Sequence, residues 1–378
     1  MIIVAFLIAV AIPIAVLIWT YFLDKYRTGE FRIVVACFGV GVLAYFAAAQ
    51  INPAMIDLGW VNDNQMVRFT APAVEELLKA AVLFLLVRRA KFTYFVDGAI
   101  YGFAIGIGFA IAENIEYILG YSDLAMAVAI NRVVSTNLMH AAATATTGIV
   151  LGWARFRKPS QRIPLNMVAV LPAIALHMGY NNLVTRVESG WLLVYAVIVG
   201  GGAVGLTALM IRRGLKEEET WIKEKLGEPD RVEREEVRAV QKIDKLDAVL
   251  KRLTETFGAG TAKQIEKLLL IQARLGILRK TVEKMADEKM RQDIQVQIDA
   301  LRLEMEAERK LIGSYAMVYL RYTHLEEIFS VYTALESRIK DLADRPHAPG
   351  MGVFDRLKEH VETSSREPGE ESNEPDAG

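Results

Sequence analysis

Apolar residues run in seven long blocks through the first 214 residues, at roughly 2–23, 31–51, 67–87, 98–120, 130–154, 164–185 and 191–211. A bilayer core takes about 20 mostly apolar residues per helix, so each block predicts a transmembrane helix. Beyond residue 214 the pattern changes to apolar positions at helical spacing among charged ones. Val240, Ile243, Leu246, Val249, Leu250, Leu253 and Phe257 form one stripe, ended by Gly258-Ala-Gly260. Ile265, Leu268, Leu269, Leu275 and Leu278 form a second. Ile294, Ile298, Leu301 and Leu303, continuing to Tyr319, Tyr322, Ile328 and Tyr332, form a third, stopped by Pro346. These are amphipathic helices, and the imperfect heptad favours a small bundle over a long coiled coil. The expected fold is all-α: a polytopic membrane helix bundle of about seven spans, residues 1–214, with an amphipathic helical domain, 215–345. Residues 346–378, rich in Ser, Glu, Pro and Gly, read as a largely disordered tail.

Basic residues orient the spans. Lys25, Arg27 and Arg32 follow the first, Arg88, Arg89 and Lys91 the third, Arg155, Arg157, Lys158 and Arg162 the fifth, and Arg212 and Arg213 the seventh. The other side has only Arg68, Arg132 and Arg186, each near a helix end, where a long side chain snorkels. The bias puts the N-terminus outside and the helical domain in the cytoplasm. The first block has no basic segment before it and is followed by Asp24-Lys25-Tyr26-Arg27, which predicts a retained helix rather than a cleaved signal. The turn formers of 51–66, with no Lys or Arg, read as an external loop.

The overall net charge of −1 conceals two opposed parts. The first 214 residues hold 16 Lys and Arg against 11 Asp and Glu, a net of +5, and the remainder holds 28 against 34, a net of −6. A negative C-terminal region disfavours nucleic-acid binding. The single cysteine, Cys37, rules out an intrachain disulfide and a cysteine-based zinc site.

Charge inside the hydrocarbon is costly and marks function by default. The third block carries Glu75-Glu76-x-x-Lys79, the fourth Glu113-Asn114 and Glu116, the fifth Arg132, Thr136, His140 and Thr144, and the sixth His177 and Asn181-Asn182. Glu76, His140 and His177 each lie nine residues from the outer end of their blocks, and Glu113 lies eight from Tyr121. At 1.5 Å per residue all four sit roughly 12–14 Å below the outer surface, in one layer. A stripe of Gly98, Gly102, Gly106, Ala110 and Asn114 on one helix, and of Thr136, His140, Thr144, Gly148 and Gly152 on the next, predicts close packing. Lys79, one turn from both Glu75 and Glu76, can neutralise one of the pair. Glu116 reads as interfacial. The first and second blocks offer nothing comparable.

Two imidazoles and a carboxylate, from His140, His177 and one of Glu113 or Glu76, form a set that suits a catalytic zinc. A remaining glutamate then serves as general base, and Asn181 or Asn114 as oxyanion donor, with Asn114 also able to orient a neighbour. The same groups can act without metal, with a glutamate activating water directly. No G-x-S-x-G, P-loop or dinucleotide fingerprint is present.

Glu75-Glu76-Leu-Leu-Lys79, Asp97-Gly98-Ala-Ile-Tyr-Gly102, Gly108-Phe109-Ala-Ile-Ala-Glu113-Asn114-Ile-Glu-Tyr117, His140-Ala-Ala-Ala-Thr144 and Leu176-His177-Met-Gly-Tyr-Asn181 together resemble the PrsW intramembrane protease family, over about residues 65–185. They are more distantly similar to the CAAX prenyl endopeptidases and bacterial immunity-type membrane proteases. There a Phe-x-x-x-His stands where this chain has Phe109-x-x-x-Glu113. The resemblance implies a polytopic protease cutting a membrane protein near the extracytoplasmic surface, with an anti-sigma factor in stress signalling as the type substrate. It implies base and orienting roles for Glu75 and Glu76, and candidate metal ligands in Glu113, His140 and His177. It says nothing of the C-terminal region, which reads as a regulatory or scaffolding module for a cytoplasmic partner or for self-association. His324, His347 and His360 are isolated there. Two rival readings are an ion- or proton-coupled transporter or channel using the carboxylates as a relay, and a non-catalytic receptor. The chain has no convincing inverted repeat to support the transporter.

Overall fold

The computed structural model describes residues 1–184, 189–227, 230, 232–241 and 246–322, and among these every regular element is helical. They belong to one compact unit, Met1–His324. Arg186, Ile243, Ile328, Tyr332, Pro346, the histidines His324, His347 and His360, and the 346–378 tail lie outside the described residues.

The order is α1 (Ile2–Phe22), α2 (Phe31–Asp57), a single turn α3 (Asp63–Gln65), a π-helical turn (Met66–Thr70), α4 (Ala71–Leu86), α5 (Phe95–Gly120), α6 (Ala125–Val134), α7 (Thr136–Ala154), α8 (Pro159–Val168), α9 (Leu171–Val184), α10 (Ser189–Lys225), α11 (Arg234–Gln241), α12 (Leu246–Lys284), α13 (Glu288–Ile312) and α14 (Ser314–Tyr322). The result is an all-α membrane helix bundle. Among the described residues four stretches are long and apolar enough to cross a bilayer: α1, α2, α5, and α8 with α9 taken together. The other apolar blocks are helical too: the seventh lies within α10, and the third and fifth are interrupted. The third begins in the π-turn, and the fifth is divided into α6 and α7 at Ser135 (φ −122°, ψ −79°). Two boundaries differ from the sequence reading. Helix α2 continues through residues 51–57, read above as loop, and the compositional boundary at Gly214 falls inside the unbroken α10.

Helix α5 is the buried axis. The glycine stripe explains its position. A Cβ on Gly98, Gly102 or Gly106 would run into the backbone oxygens of Gly148, Thr144 and His140 on α7. On its other side, a Cβ on Gly108 would run into Phe38 O of α2. Only hydrogen atoms fit at these crossings, so the backbones approach closely, as small residues permit in membranes.

In the C-terminal region Gly258 takes φ +83°, a conformation open to glycine, and divides α12 where the sequence predicts a break. Ile265, Leu268, Leu269, Leu275, Leu278, Ile294 and Ile298 are buried as the stripes predict, whereas Leu303 is exposed. Buried acids hold the segment before α12. Asp230 pairs with Arg279 (2.6 Å) and Arg302 (2.8 Å), and Glu236 pairs with Arg309 (2.7 Å) and Arg321 (2.9 Å). Helix α12 touches the loop after α1 through Arg27–Glu266 (3.3 Å) and Arg274 Nε donating to Arg27 O (3.1 Å).

Candidate active site

Four helices bring their polar residues to one point. Helix α4 supplies Glu75, Glu76 and Lys79, α5 supplies Glu113 and Asn114, α7 supplies His140, and α9 supplies His177. The imidazole centroids of His140 and His177 are 4.6 Å apart, ring edge to ring face.

Glu76 is the most heavily engaged. Its Oε1 accepts from Lys79 Nζ (2.5 Å) and lies 3.0 Å from His177 Nδ1, and its Oε2 accepts from Thr144 Oγ1 (3.2 Å). Lys79 is fully buried, 3.0 Å from His140 Nδ1 and 4.2 Å from the Phe109 ring centroid. The expected neutralisation of one glutamate by Lys79 thus falls on Glu76. Glu75 is left freer. Its Oε1 accepts from Asn52 Nδ2 of α2 at 3.5 Å. Its buried Oε2 has no hydrogen-bond partner among the described residues and lies 3.9 Å from His177 Nε2.

Glu113 Oε2 is 3.0 Å from His140 Nε2 and 2.6 Å from Arg132 Nη2. Asn114 is committed on both ends, its Nδ2 donating to Asn137 Oδ1 (2.6 Å) and its Oδ1 accepting from Arg132 Nε (2.7 Å). Of the two roles open to Asn114, orienting neighbours is the one these contacts serve. With all three glutamates ionised and both imidazoles neutral, Lys79 and Arg132 leave the cluster a net −1, a field that favours a further cation.

The residues whose donor atoms converge on one point are Glu75, His140 and His177, all within 4.8 Å of one another. The expected metal set has Glu113 in place of Glu75. Glu113 is instead taken up by Arg132, while Glu75 keeps a free oxygen. The convergent set fits a divalent metal by two observations: the unpartnered Glu75 Oε2, and the carboxylate that each histidine carries on one ring nitrogen. Carboxylate-bound histidines of that kind are the usual support of metal ligands.

Asn181 stands apart from this centre. Ala71 N–H reaches Met66 O, one residue further back than in an α-helix, which frees Val67 O. Pro72 has no N–H for Arg68 O. The two orphaned carbonyls are taken by α9: Asn181 Nδ2 donates to Val67 O (2.8 Å) and Asn182 Nδ2 to Arg68 O (3.2 Å). Asn181 therefore braces the turn that leads into Glu75 and Glu76, and its amide does not face the oxyanion position assigned to it above. Glu116 is exposed, as an interfacial residue is.

Asn137 and Asn52 are not among the residues the sequence singles out, and Asn182 and Arg132 are named there without these roles. Arg132 was assigned to the interface and turns inward. Asn52, directly before Pro53 at the end of the second apolar block, is a polar residue that the sequence offers as a signal.

Comparison with known proteins places these residues in a family. Residues 29–204 match a family model described as PrsW family intramembrane metalloprotease. The chain is 30% identical over 186 residues to Protease PrsW of Bacillus subtilis, covering 48% of this chain and 83% of that protein. It is 35% identical over 136 residues to Protease PrsW of Clostridioides difficile, covering 34% of this chain and 57% of that one. With Protease PrsW of Shouchella clausii it shares 27% identity over 199 residues, 51% and 87% of the two chains. No solved structure matches at a significant level.

Proposed function

We propose that this chain, which belongs to the PrsW family of intramembrane proteases and so acts as an endopeptidase on a membrane protein, cuts its substrate at the Glu75–His140–His177 centre, near the extracytoplasmic face. The observation that carries this reading is the convergence of two imidazoles and one partly unpartnered carboxylate inside the bundle. The two nitrogen donors and one oxygen suit zinc with an open position. Bound there, zinc would polarise the scissile carbonyl and acidify a water. Glu76 holds His177 by Nδ1 and leaves Nε2 toward Glu75, and Glu113 holds His140 by Nε2.

A second, metal-free reading is favoured by one contact: a fixed cation, Lys79 Nζ, already lies 3.0 Å from His140 Nδ1. In that reading Glu75 Oε2 takes the proton of the attacking water and Glu76, pinned by Lys79 and Thr144, orients the base through His177.

The further assignments rest on sequence. Seven spans, an extracytoplasmic N-terminus and a cytoplasmic helical domain at 215–345 follow from the basic-residue bias. An anti-sigma-factor-like protein in stress signalling is the substrate the family resemblance suggests, and the helical domain would recruit a cytoplasmic partner or a second copy.

The test is cleavage of a tagged single-span substrate by the parent, Glu76→Gln and His177→Ala. The expected outcome is product from the parent alone, and equal cleavage by all three would remove the protease centre from these residues. Metal analysis with chelator added to the assay separates the two chemistries. Stoichiometric zinc and chelator-sensitive cleavage are expected for the first, and metal-independent cleavage for the second.

A further inference from the structure

The break at Ser135 does more than divide an apolar block. Ser135 Oγ donates to Asn131 O (2.5 Å) and accepts from the Tyr180 hydroxyl (2.9 Å), which ties the break to α9. It leaves α6 as a separate short helix packed on α1 and α5. Arg132, on α6, lies over one face of α5. Its Nη2 is 2.6 Å from Glu113 Oε2, its Nε donates to Asn114 Oδ1 at 2.7 Å, and its guanidinium lies 3.8 Å from the Tyr117 ring centroid. Three contacts of different chemistry fix one planar group, a match that a lysine ammonium cannot reproduce.

The group beyond Glu113 is His140, with Nε2 3.0 Å from the carboxylate oxygen that Arg132 holds. A carboxylate oxygen accepts and does not donate, so Nε2 carries the hydrogen. At the other ring nitrogen Lys79 Nζ, 3.0 Å away, donates and does not accept, so Nδ1 carries the lone pair. The two neighbours specify the same tautomer from opposite sides.

We propose that Arg132 is a positioning residue that clamps Glu113 onto His140 and so determines which nitrogen His140 offers to the centre. This deepens the protease reading and rests on it for its effect on rate, but the tautomer itself does not. Neither metal chemistry nor the metal-free alternative alters it, because in both Glu113 keeps the Nε2 side.

The test uses the full-length protein, ring-15N-labelled at histidine, freed of metal with chelator and held at a pH above the imidazole range. His140 is assigned by difference against His140→Gln. The parent should show His140 as the Nε2–H tautomer. Arg132→Gln should lose that single tautomer, and Arg132→Lys should retain part of it. Arg68→Gln, which removes an arginine outside the clamp, should leave it intact. An Nδ1–H tautomer in the parent, or an unchanged His140 signal in Arg132→Gln, overturns the proposal. On cleavage, Arg132→Gln should lower kcat on the order of 10–100-fold, the usual effect of removing a partner behind a site histidine, with KM unchanged. Arg132→Gln with Glu113→Gln should lose no more than the worse single variant, and additive losses overturn the proposal. If the parent cleaves nothing, the protease reading fails while the nitrogen spectra still decide the role of Arg132.

Discussion

Two groups of buried or half-buried acids sit toward opposite ends of α5, and the fold treats them differently. Near one end Glu113 joins Glu75 and Glu76, and each has a histidine or a cation within reach. Near the other, about 24 Å away along the helix axis, Asp97 joins Asp24 and Glu218. Asp97 accepts from Thr28 (2.9 Å) and from the Thr93 amide (2.7 Å) and hydroxyl (2.5 Å). Asp24 accepts from Thr28 (3.2 Å), Tyr26 N–H (3.2 Å) and Gly29 N–H (3.1 Å). Glu218 is fully buried with both carboxylate oxygens unpartnered among the described residues. The first group is matched by groups that can bind a cation or exchange protons. In the second, Asp24 and Asp97 are matched by hydroxyls and amides, which hold a shape, and Glu218 by no hydrogen-bond partner among the described residues. Buried charge alone therefore does not mark a reactive centre, and the identity of the partner does.

The largest effect should separate the two groups directly. Glu75→Gln keeps the size of the side chain and removes the base or ligand, so cleavage should fall by about 10²–10⁴-fold, the range for a lost general base. Glu218→Met should cleave at the parental rate in the same assay. A Glu218→Met variant as inactive as Glu75→Gln would dissolve the distinction between the clusters.

The axis linking them should be next in magnitude. Gly102→Ala would push a methyl group into Thr144 O, and Thr144 is also the hydroxyl donor to Glu76. Overpacking of this kind costs about 1–3 kcal/mol. Thermal unfolding in detergent should show it, with a parallel drop in activity, since α7 carries both Thr144 and His140. Gly39, with open space around it, should accept alanine without loss.

Much of this was legible in the chain and some was not, for identifiable reasons. The glycine stripe and the common depth of Glu76, Glu113, His140 and His177 follow from helical rise and period, and the four side chains do meet. What failed was direction. Arg132 lies near the end of an apolar block, where snorkelling is the ordinary outcome, and only the break at Ser135 turns it inward. That break has no proline or glycine to announce it. Asn181 shares a helical face with His177, but the π-turn creates two orphan carbonyls that claim it and Asn182. Hydrogen-bond demand created by another segment leaves no trace in local spacing.

The smallest effect concerns the second group and has a definite sign. Burial, and then the neighbouring Asp97, push the Asp24 carboxyl up to about 6. Burial, with Asp24 and Asp97 nearby, pushes Glu218 well above the usual carboxylate range. Between the ordinary and the raised value the native state holds a proton that the unfolded chain has released. Stability therefore falls as pH rises through that window, which for Asp24 runs from about 4 to about 6. Replacing Glu218 by the apolar Met removes a buried carboxyl with no partner, which should stabilise the protein by about 1–3 kcal/mol near neutral pH. The gain should shrink as pH falls toward 4, where the parent no longer loses by holding the proton. Thermal unfolding of parent and Glu218→Met across that range measures it. A gain that is constant with pH would mean that the parent suffers there from packing rather than from an unpaired acid.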